Sequence, residues 1–125
     1  MKLLVDTHVL LWWLLGGRAI SEEARLALAD ADNTVYVSAA CFWEIATKQR
    51  KGQLKAPPNL HSVSISSGFV DLAITVAHVQ ALADLPNLHR DPFDRIMVAQ
   101  ARVDGLSLVT RDSRLLRYPV ATLRA

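Results

Sequence analysis

Hydrophobic residues fall into short apolar runs that alternate with helix-like stretches. Lys2–Asp6 is a continuous apolar run closed by an acid, which is typical of a strand buried on both faces. Thr34–Val37 and Val70–Ile74 predict a second and a third strand, and Leu106–Val109 predicts a fourth. Val120–Leu123 is a candidate edge strand, because it follows Pro119.

Helix start and stop signals fill the gaps between these strands. The predicted helices are Thr7–Leu15 (ended by Gly16-Gly17), Ser21 to about Asp30, Ser38 through Lys48 or beyond, one starting at Pro57-Pro58, Thr75 to about Ala83, Asp91-Pro92 to Val103, and Asp112–Arg117. Short strands alternating with helices predict an α/β fold, with a parallel sheet covered by helices on both faces. The length of 125 residues suits one domain spanning residues 1–125.

Composition narrows the class of protein. Hydrophobic residues make up 51% of the chain and charged residues 21%, which excludes a disordered protein. The single cysteine, Cys41, excludes a disulfide framework and a cysteine-rich metal site. Val9–Leu15 is too short to span a membrane, and Asp6 interrupts any signal peptide. We therefore expect a reduced, cytoplasmic location and no membrane.

Charge alone says little about the partner. The net charge is +2, and the basic residues cluster at Lys48, Arg50, Lys51 and Lys55 and again at Arg111, Arg114 and Arg117. Each cluster suits a solvated helix face as well as it suits a polyanionic ligand.

Four acids stand where an α/β sheet binds its ligands, outside the carboxyl ends of the strands. Asp6 ends the first strand, Asp112 follows the fourth, and Asp94 lies in the first turn of a helix. Glu44 is the only charged residue between Ala39 and Ala46, where an unpaired carboxylate would lose solvation.

Each of these acids also has a structural explanation. Asp6 and Asp112 suit helix caps, although Thr7 could cap in place of Asp6. Lys48 follows Glu44 by four residues, in the favourable order for an ion pair. Asp91 before Pro92 is a strong N-cap signal, and the helix dipole stabilises a carboxylate at the third helical position, Asp94.

The combination points to chemistry more strongly than any single acid does. Helix starts in a parallel sheet lie at one edge, so the four carboxylates are expected to converge there. Such crowding raises carboxylate pKa values unless cations neutralise the charge. Oxygen ligands without cysteine or paired histidines favour Mg²⁺ or Mn²⁺ over zinc, and such ions assist phosphodiester cleavage.

These motifs resemble those of PIN-domain nucleases, in particular the VapC-type toxins of bacterial toxin–antitoxin pairs. Four stretches carry the resemblance in order and over essentially the whole chain: Leu-Leu-Val-Asp6-Thr, Ser38 through Glu44, Asp-Pro-Phe-Asp94-Arg-Ile-Met-Val-Ala-Gln-Ala, and Leu-Val-Thr110-Arg-Asp112. The resemblance implies a PIN-like three-layer α/β sandwich, with four or five parallel strands between layers of helices. It also implies Mg²⁺- or Mn²⁺-dependent endoribonuclease activity, inhibition by a cognate VapB-type antitoxin, and a homodimer.

The resemblance also implies roles for individual residues. Asp6 and Asp94 match the principal metal ligands of the family. Glu44 and Asp112 match its remaining catalytic acids, which bind metal directly or through water. Accessory positions are Thr110, which matches a small hydroxyl residue flanking the site, and Asp91, an acid of this subgroup.

Several other residues have open roles. Arg90, Arg95 and Arg111 flank the acids and suit phosphate binding, although ion pairs with the same acids are an alternative. His8 and His89 suit RNA or metal contacts, but lone polar histidines are the favoured interpretation. Two adjacent tryptophans, Trp12 and Trp13, cannot both face inward on one helix. We therefore expect one of them to line a dimer or antitoxin groove.

Competing functions are weaker. A non-catalytic PIN-fold module that docks RNA or a partner is the alternative, although retention of all four acids argues against it. A phosphate-accepting signalling domain needs an acid at the end of the third strand, whereas Asp71 lies at its start. A haloacid-dehalogenase-like phosphatase needs an aspartate at the position of His8.

Overall fold

The strands form one parallel five-stranded sheet in a computed structural model that describes residues 1–16 and 20–125. In chain order they are β1 (Lys2–Val5), β2 (Thr34–Ser38), β3 (Val70–Leu72), β4 (Ser107–Thr110) and β5 (Thr122–Arg124). Their order across the sheet is β3-β2-β1-β4-β5, and every neighbouring pair is parallel. The predicted α/β class and parallel sheet are confirmed.

Helices connect the strands. They are α1 (Thr7–Leu14), α2 (Glu22–Ala29), α3 (Ala39–Arg50), α4 (Leu60–Ser66), α5 (Val76–Ala81) and α6 (Pro92–Asp104), with 3₁₀ turns at Leu82–Asp84 and Leu115–Arg117. The predicted caps at Ser21, Ser38, Thr75 and Asp91 are present, each with a side chain that accepts a backbone N–H. Of the predicted stop Gly16-Gly17, Gly17 lies outside the described residues. No helix within the described ranges is both long and apolar enough to cross a membrane.

Two predicted elements differ from the observed ones at the carboxyl end of the chain. The helix predicted over Asp112–Arg117 is only a 3₁₀ turn from Leu115, because the Asp112 carboxylate accepts the Arg114 N–H and holds the preceding residues in a turn. The fifth strand runs over Thr122–Arg124 instead of Val120–Leu123. Val120 instead donates its N–H to the carbonyl of Tyr118 in a local turn.

The centre of the sheet is buried on both faces. Leu3, Leu4 and Val5 of β1 are completely inaccessible to solvent, as are Leu108 and Val109 of β4. Successive strand residues point to opposite faces, so burial of consecutive residues means that both faces are covered. The core is therefore centred on β1 and β4.

The sheet has a topological switch point between β1 and β4. The chain first steps from β1 to β2 and β3, and then returns to the other side of β1 to form β4. Val5 is in register with Val37 on one side and with Val109 on the other, and the Asp6 N–H donates to the Val109 carbonyl at 3.1 Å. The side chains that follow β1 and β4 are thus fixed at the crevice where parallel sheets bind ligands.

Truncation in β1 tests this account of the core. We expect Leu4→Ala to lower the free energy of unfolding by about 2–5 kcal/mol, because the cavity is enclosed on all sides. Leu26→Ala removes the same atoms from a leucine that is 56% exposed, and should change it by less than about 0.5 kcal/mol. Urea unfolding measures both, and equal effects would contradict the placement of the core.

Candidate active site

Asp6 lies at the carboxyl end of β1 and caps α1. Its Oδ1 accepts the Val9 N–H at 2.9 Å, and its Oδ2 accepts the Thr110 hydroxyl at 2.5 Å. Asp6 therefore takes the capping position for which Thr7 was also a candidate. Burial raises the pKa of Asp6, although the hydrogen bonds from Thr110 and Val9 oppose the shift. The carboxylate is rigidly held and costly to ionise.

Glu44 is buried in α3, beside α1. Its Oε1 accepts the Thr7 hydroxyl at 2.6 Å, and its Oε2 accepts the Lys48 ammonium at 2.6 Å. The ion pair considered from the sequence is therefore present. It does not account for the whole environment, because Glu44 is only 2% exposed and its charge also acts on Asp6 and Asp94.

Asp94 is the acid whose pKa is raised by the charges of all the others. Burial, together with the negative charges of Asp91, Glu44, Asp6 and Asp112, raises its pKa from 3.8 to about 8. No hydrogen bond reaches its Oδ1 from residues 1–16 or 20–125. Asp94 thus presents one carboxylate oxygen that nothing in the described chain engages.

The Asp91 side chain caps the start of α6. Its Oδ1 accepts the N–H groups of Phe93 at 2.9 Å and Asp94 at 3.1 Å, which is the capping interaction that the Asp-Pro pair predicted. Its charge nevertheless contributes to the raised pKa of Asp94.

Asp112 and Asp94 are bridged by His89. The His89 Nε2 lies 3.0 Å from the Asp94 Oδ2 and 3.2 Å from the Asp112 Oδ2. The His89 Nδ1 accepts the Asp91 N–H at 3.1 Å, so the ring proton resides on Nε2, which donates toward the two carboxylates. Partial burial of Asp112 acts against ionisation, but hydrogen bonds from Arg114 lower its pKa overall.

The three predicted arginines have different surroundings. The Nη1 of Arg95 donates to the Pro86 carbonyl and the Tyr118 hydroxyl, so this side chain is partly committed to the fold. Arg90 is exposed and, with Arg95, lines a cavity of about 470 Å³ that also touches His89. Arg111 lines a second cavity beside Asp6 and Asp112. None of the three forms an ion pair with an acid among the described residues.

The donor set fits a divalent cation. The charges of Asp6, Glu44 and Asp112 all act on Asp94, whose Oδ1 receives no hydrogen bond from the described residues. Ligand atoms of His89, Asp94 and Asp112 lie within 4.8 Å of one another, although the proton on Nε2 leaves His89 as a donor rather than a ligand. A bound cation would offset the charge that raises the pKa of Asp94.

Comparison with known proteins agrees with this geometry. The PIN domain family matches residues 3–121. The chain belongs to the PIN domain family. It is 31% identical over 115 residues to Ribonuclease VapC22 of Mycobacterium tuberculosis, which covers 90% of this chain and 88% of that protein. Nucleases of the PIN family use divalent metals, in keeping with the oxygen donors gathered here.

Solved structures share the PIN fold. The VapBC2 complex from Rickettsia felis, bound to a promoter DNA fragment, matches with a TM-score of 0.74 and 16% identity over 99% of this chain and 98% of that chain. The DNA-bound VapBC complex from Salmonella typhimurium matches with a TM-score of 0.70 and 16% identity over the same shares. A toxin–antitoxin complex from Klebsiella pneumoniae gives 0.64 and 22%, over 96% of this chain and 94% of that chain.

Sequence reasoning missed two contacts of this PIN site. His89 was favoured as a lone polar histidine, whereas it bridges two of the acids. Its place two residues before the Asp91 cap was the available signal, since this spacing lets Nδ1 accept the Asp91 N–H. Thr7 was considered only as a cap, yet its hydroxyl holds Glu44.

The crowding of Asp94 predicts a distinctive pH dependence in metal-free protein. The pKa of Asp94 is raised from 3.8 to about 8 in the folded protein, so between these pH values the folded state holds a proton that the unfolded state has lost. The free energy of unfolding should therefore fall as the pH rises from about 4 to 8. We expect Asp94→Asn to remove most of this slope and to raise stability at pH 8 by on the order of a few kcal/mol. Thermal unfolding in EDTA measures it.

The exposed Asp32→Asn is the matched control and should keep the wild-type slope. Mg²⁺ should raise the melting temperature of the wild type at pH 8 but not that of Asp94→Asn. Identical pH profiles for the wild type and Asp94→Asn would refute the crowded-acid description.

Proposed function

We propose that the protein is a Mg²⁺-dependent endoribonuclease that hydrolyses RNA phosphodiester bonds as the toxin of a VapBC-type pair. The observation that carries this proposal is that the carboxylates of Asp6, Glu44 and Asp112 all act electrostatically on Asp94, at the switch point of the sheet. The name of the relative VapC22, a ribonuclease, supports the choice of RNA as substrate.

In this proposal Asp94 and Asp6 are the principal metal ligands, and Glu44 and Asp112 complete the acidic site. Bound Mg²⁺, for which Mn²⁺ is a possible substitute, would activate a water and stabilise negative charge developing on the phosphate. The unengaged oxygen of Asp94 makes it the most available ligand.

The surrounding residues hold these acids in position. Thr110 orients Asp6, while Thr7 and Lys48 fix both oxygens of Glu44. Since a carboxylate has about four lone-pair sites, each acid keeps acceptor capacity after these bonds form. Asp91 acts as the accessory acid, by fixing the start of α6 and adding negative charge near Asp94.

Partners follow from the same family resemblance. Solved relatives are complexes of toxin and antitoxin, which supports a cognate VapB-type antitoxin for this chain. We also propose a single PIN-like domain over residues 1–125, a homodimer and a cytoplasmic location. The exposed α5 valines, Val76 and Val79, provide an apolar surface for contact with another chain.

Cleavage of RNA tests the activity. Purified protein with Mg²⁺ should cut RNA, and Asp6→Asn or Asp94→Asn should reduce cutting to background, because each change removes a proposed ligand while keeping the side-chain shape. Gel analysis of a labelled RNA mixture measures it. Asp32→Asn, an exposed site outside the acids, should cut like the wild type.

Cutting that survives both Asp6→Asn and Asp94→Asn would overturn the assignment. Absence of cutting by the wild type, combined with no Mg²⁺ binding in calorimetry, would instead favour a non-catalytic module that docks RNA or a partner.

All three arginines are proposed to bind RNA: Arg90 and Arg95 through its backbone phosphates, and Arg111 beside Asp6 and Asp112. Arg90 is exposed beside the acidic site, so Arg90→Gln should weaken single-stranded RNA binding and reduce the slope of log affinity against log salt by about 0.7. The comparison is made in Asp94→Asn protein, which should not cut. Arg102→Gln, an exposed change near the far end of α6, should leave the slope unchanged; equal slopes for Arg90→Gln and Arg102→Gln would argue against a phosphate contact.

A further inference from the structure

A cavity of about 260 Å³ opens beside the acids, on the side of α1. It is lined by Asp6, His8, Trp12, Arg111 and Asp112. The two acids belong to the proposed metal site, whereas the other three side chains have no part in it. One pocket thus has a carboxylate end and an aromatic end.

The aromatic end is built from groups that stack on planar rings. The guanidinium of Arg111 lies 5.1 Å from the centre of the Trp12 ring, and the rings of His8 and Trp12 are 5.9 Å apart at an angle of 40°. At this angle the His8 and Trp12 rings do not stack on one another. His8 and Arg111 are exposed, and Trp12 is half-buried, so a ligand can reach these surfaces.

Arg111 keeps hydrogen-bonding capacity at this end. Its Nε donates to the Ala125 carbonyl at 3.1 Å, which fixes the guanidinium over Trp12. Within residues 1–16 and 20–125, no Asp or Glu side chain forms an ion pair with it. Its remaining N–H groups are therefore available to the oxygen or nitrogen acceptors of a ligand.

The shape and charge of the pocket favour one component of RNA. The cavity is smaller than the roughly 300–1,000 Å³ of sites for drug-sized ligands, so it suits a single ring system. The carboxylates of Asp6 and Asp112 line the same cavity and repel a phosphate placed in it, whereas they do not repel a neutral base. Aromatic and guanidinium planes are what proteins use to stack unpaired bases.

We propose that this pocket binds the unpaired nucleobase of the nucleotide adjacent to the scissile phosphate, with Trp12 as its stacking surface. The proposal rests on the ribonuclease function proposed above and specifies its substrate as RNA that is single-stranded at the cut. Since Asp6 and Asp112 line both the pocket and the acidic site, one nucleotide spans the two.

Fluorescence tests base binding without reference to cleavage. The chain has three tryptophans, so the Trp13→Phe/Trp43→Phe variant leaves Trp12 as the only indole. Titration with the four nucleoside 5′-monophosphates in Mg²⁺ should give saturable quenching by at least one, whereas ribose 5-phosphate, which lacks the base, should give none. Trp12→Phe/Trp43→Phe is the matched control, because its remaining Trp13 packs on Phe69; its fluorescence should not change.

Quenching of Trp12 by ribose 5-phosphate as strongly as by the nucleotides would overturn the proposal, as would the absence of any quenching. If nucleotides quench Trp12 but the protein cuts no RNA, the base pocket is supported and the ribonuclease function is refuted. Failure of the base pocket can therefore be told apart from failure of the ribonuclease function.

Kinetics provide the second test. Trp12→Leu keeps an apolar side chain but removes the ring, and should lower kcat/KM on single-stranded RNA by about 5- to 150-fold. Trp12→Phe should retain most of the activity, and thermal unfolding should show that both variants are folded. Equal cutting by the wild type and Trp12→Leu would overturn the proposal. If Trp12→Leu cuts like the wild type but is no longer inhibited by the antitoxin, the pocket binds the antitoxin instead of a base.

Discussion

The repulsion among carboxylates at one edge of the sheet is the constraint on which this structure depends. Asp6, Glu44, Asp94 and Asp112 are drawn from four separate segments, and two of them are almost completely buried. Burial and mutual charge both penalise ionisation, so the site would be unstable without compensating groups. The effect is concentrated at Asp94, whose pKa is raised to about 8.

The compensating groups come from three kinds of donor. Hydroxyl groups of Thr7 and Thr110 hold Glu44 and Asp6. Cationic side chains, Lys48 and Arg114, pair with the outer sides of Glu44 and Asp112. Backbone N–H groups at the starts of α1 and α6 donate to the capping carboxylates Asp6 and Asp91, and the positive end of each helix dipole favours negative charge there. The Asp94 Oδ1 receives no hydrogen bond from residues 1–16 or 20–125, so it remains available to a cation.

Most of the fold could be predicted because each strand and helix has a local signal. The continuous apolar run of β1 and the Asp-Pro start of α6 depend only on neighbouring residues, and both were located within a residue or two. The end of the chain was harder, since the turn at Asp112 depends on a side-chain hydrogen bond that no periodicity reports. Convergence of the acids followed from a general rule about parallel sheets, but its details depend on tertiary contacts. Nothing in the spacing of His89 and Asp112 along the chain indicates that one ring would touch two carboxylates.

The hydrogen bond from the Asp91 N–H to His89 links the geometry of a helix start to the position of a proton. If the backbone at Asp91 shifted, Nδ1 would lose its donor, and the ring could exchange tautomers and withdraw the N–H from Asp94 and Asp112. Substitutions at residues 89, 91, 94 and 112 should therefore not behave independently. Among natural variants of this protein, a change at one of these four positions is expected to be accompanied by a change at another, so covariation across them would record the same contact that the structure shows in a single molecule.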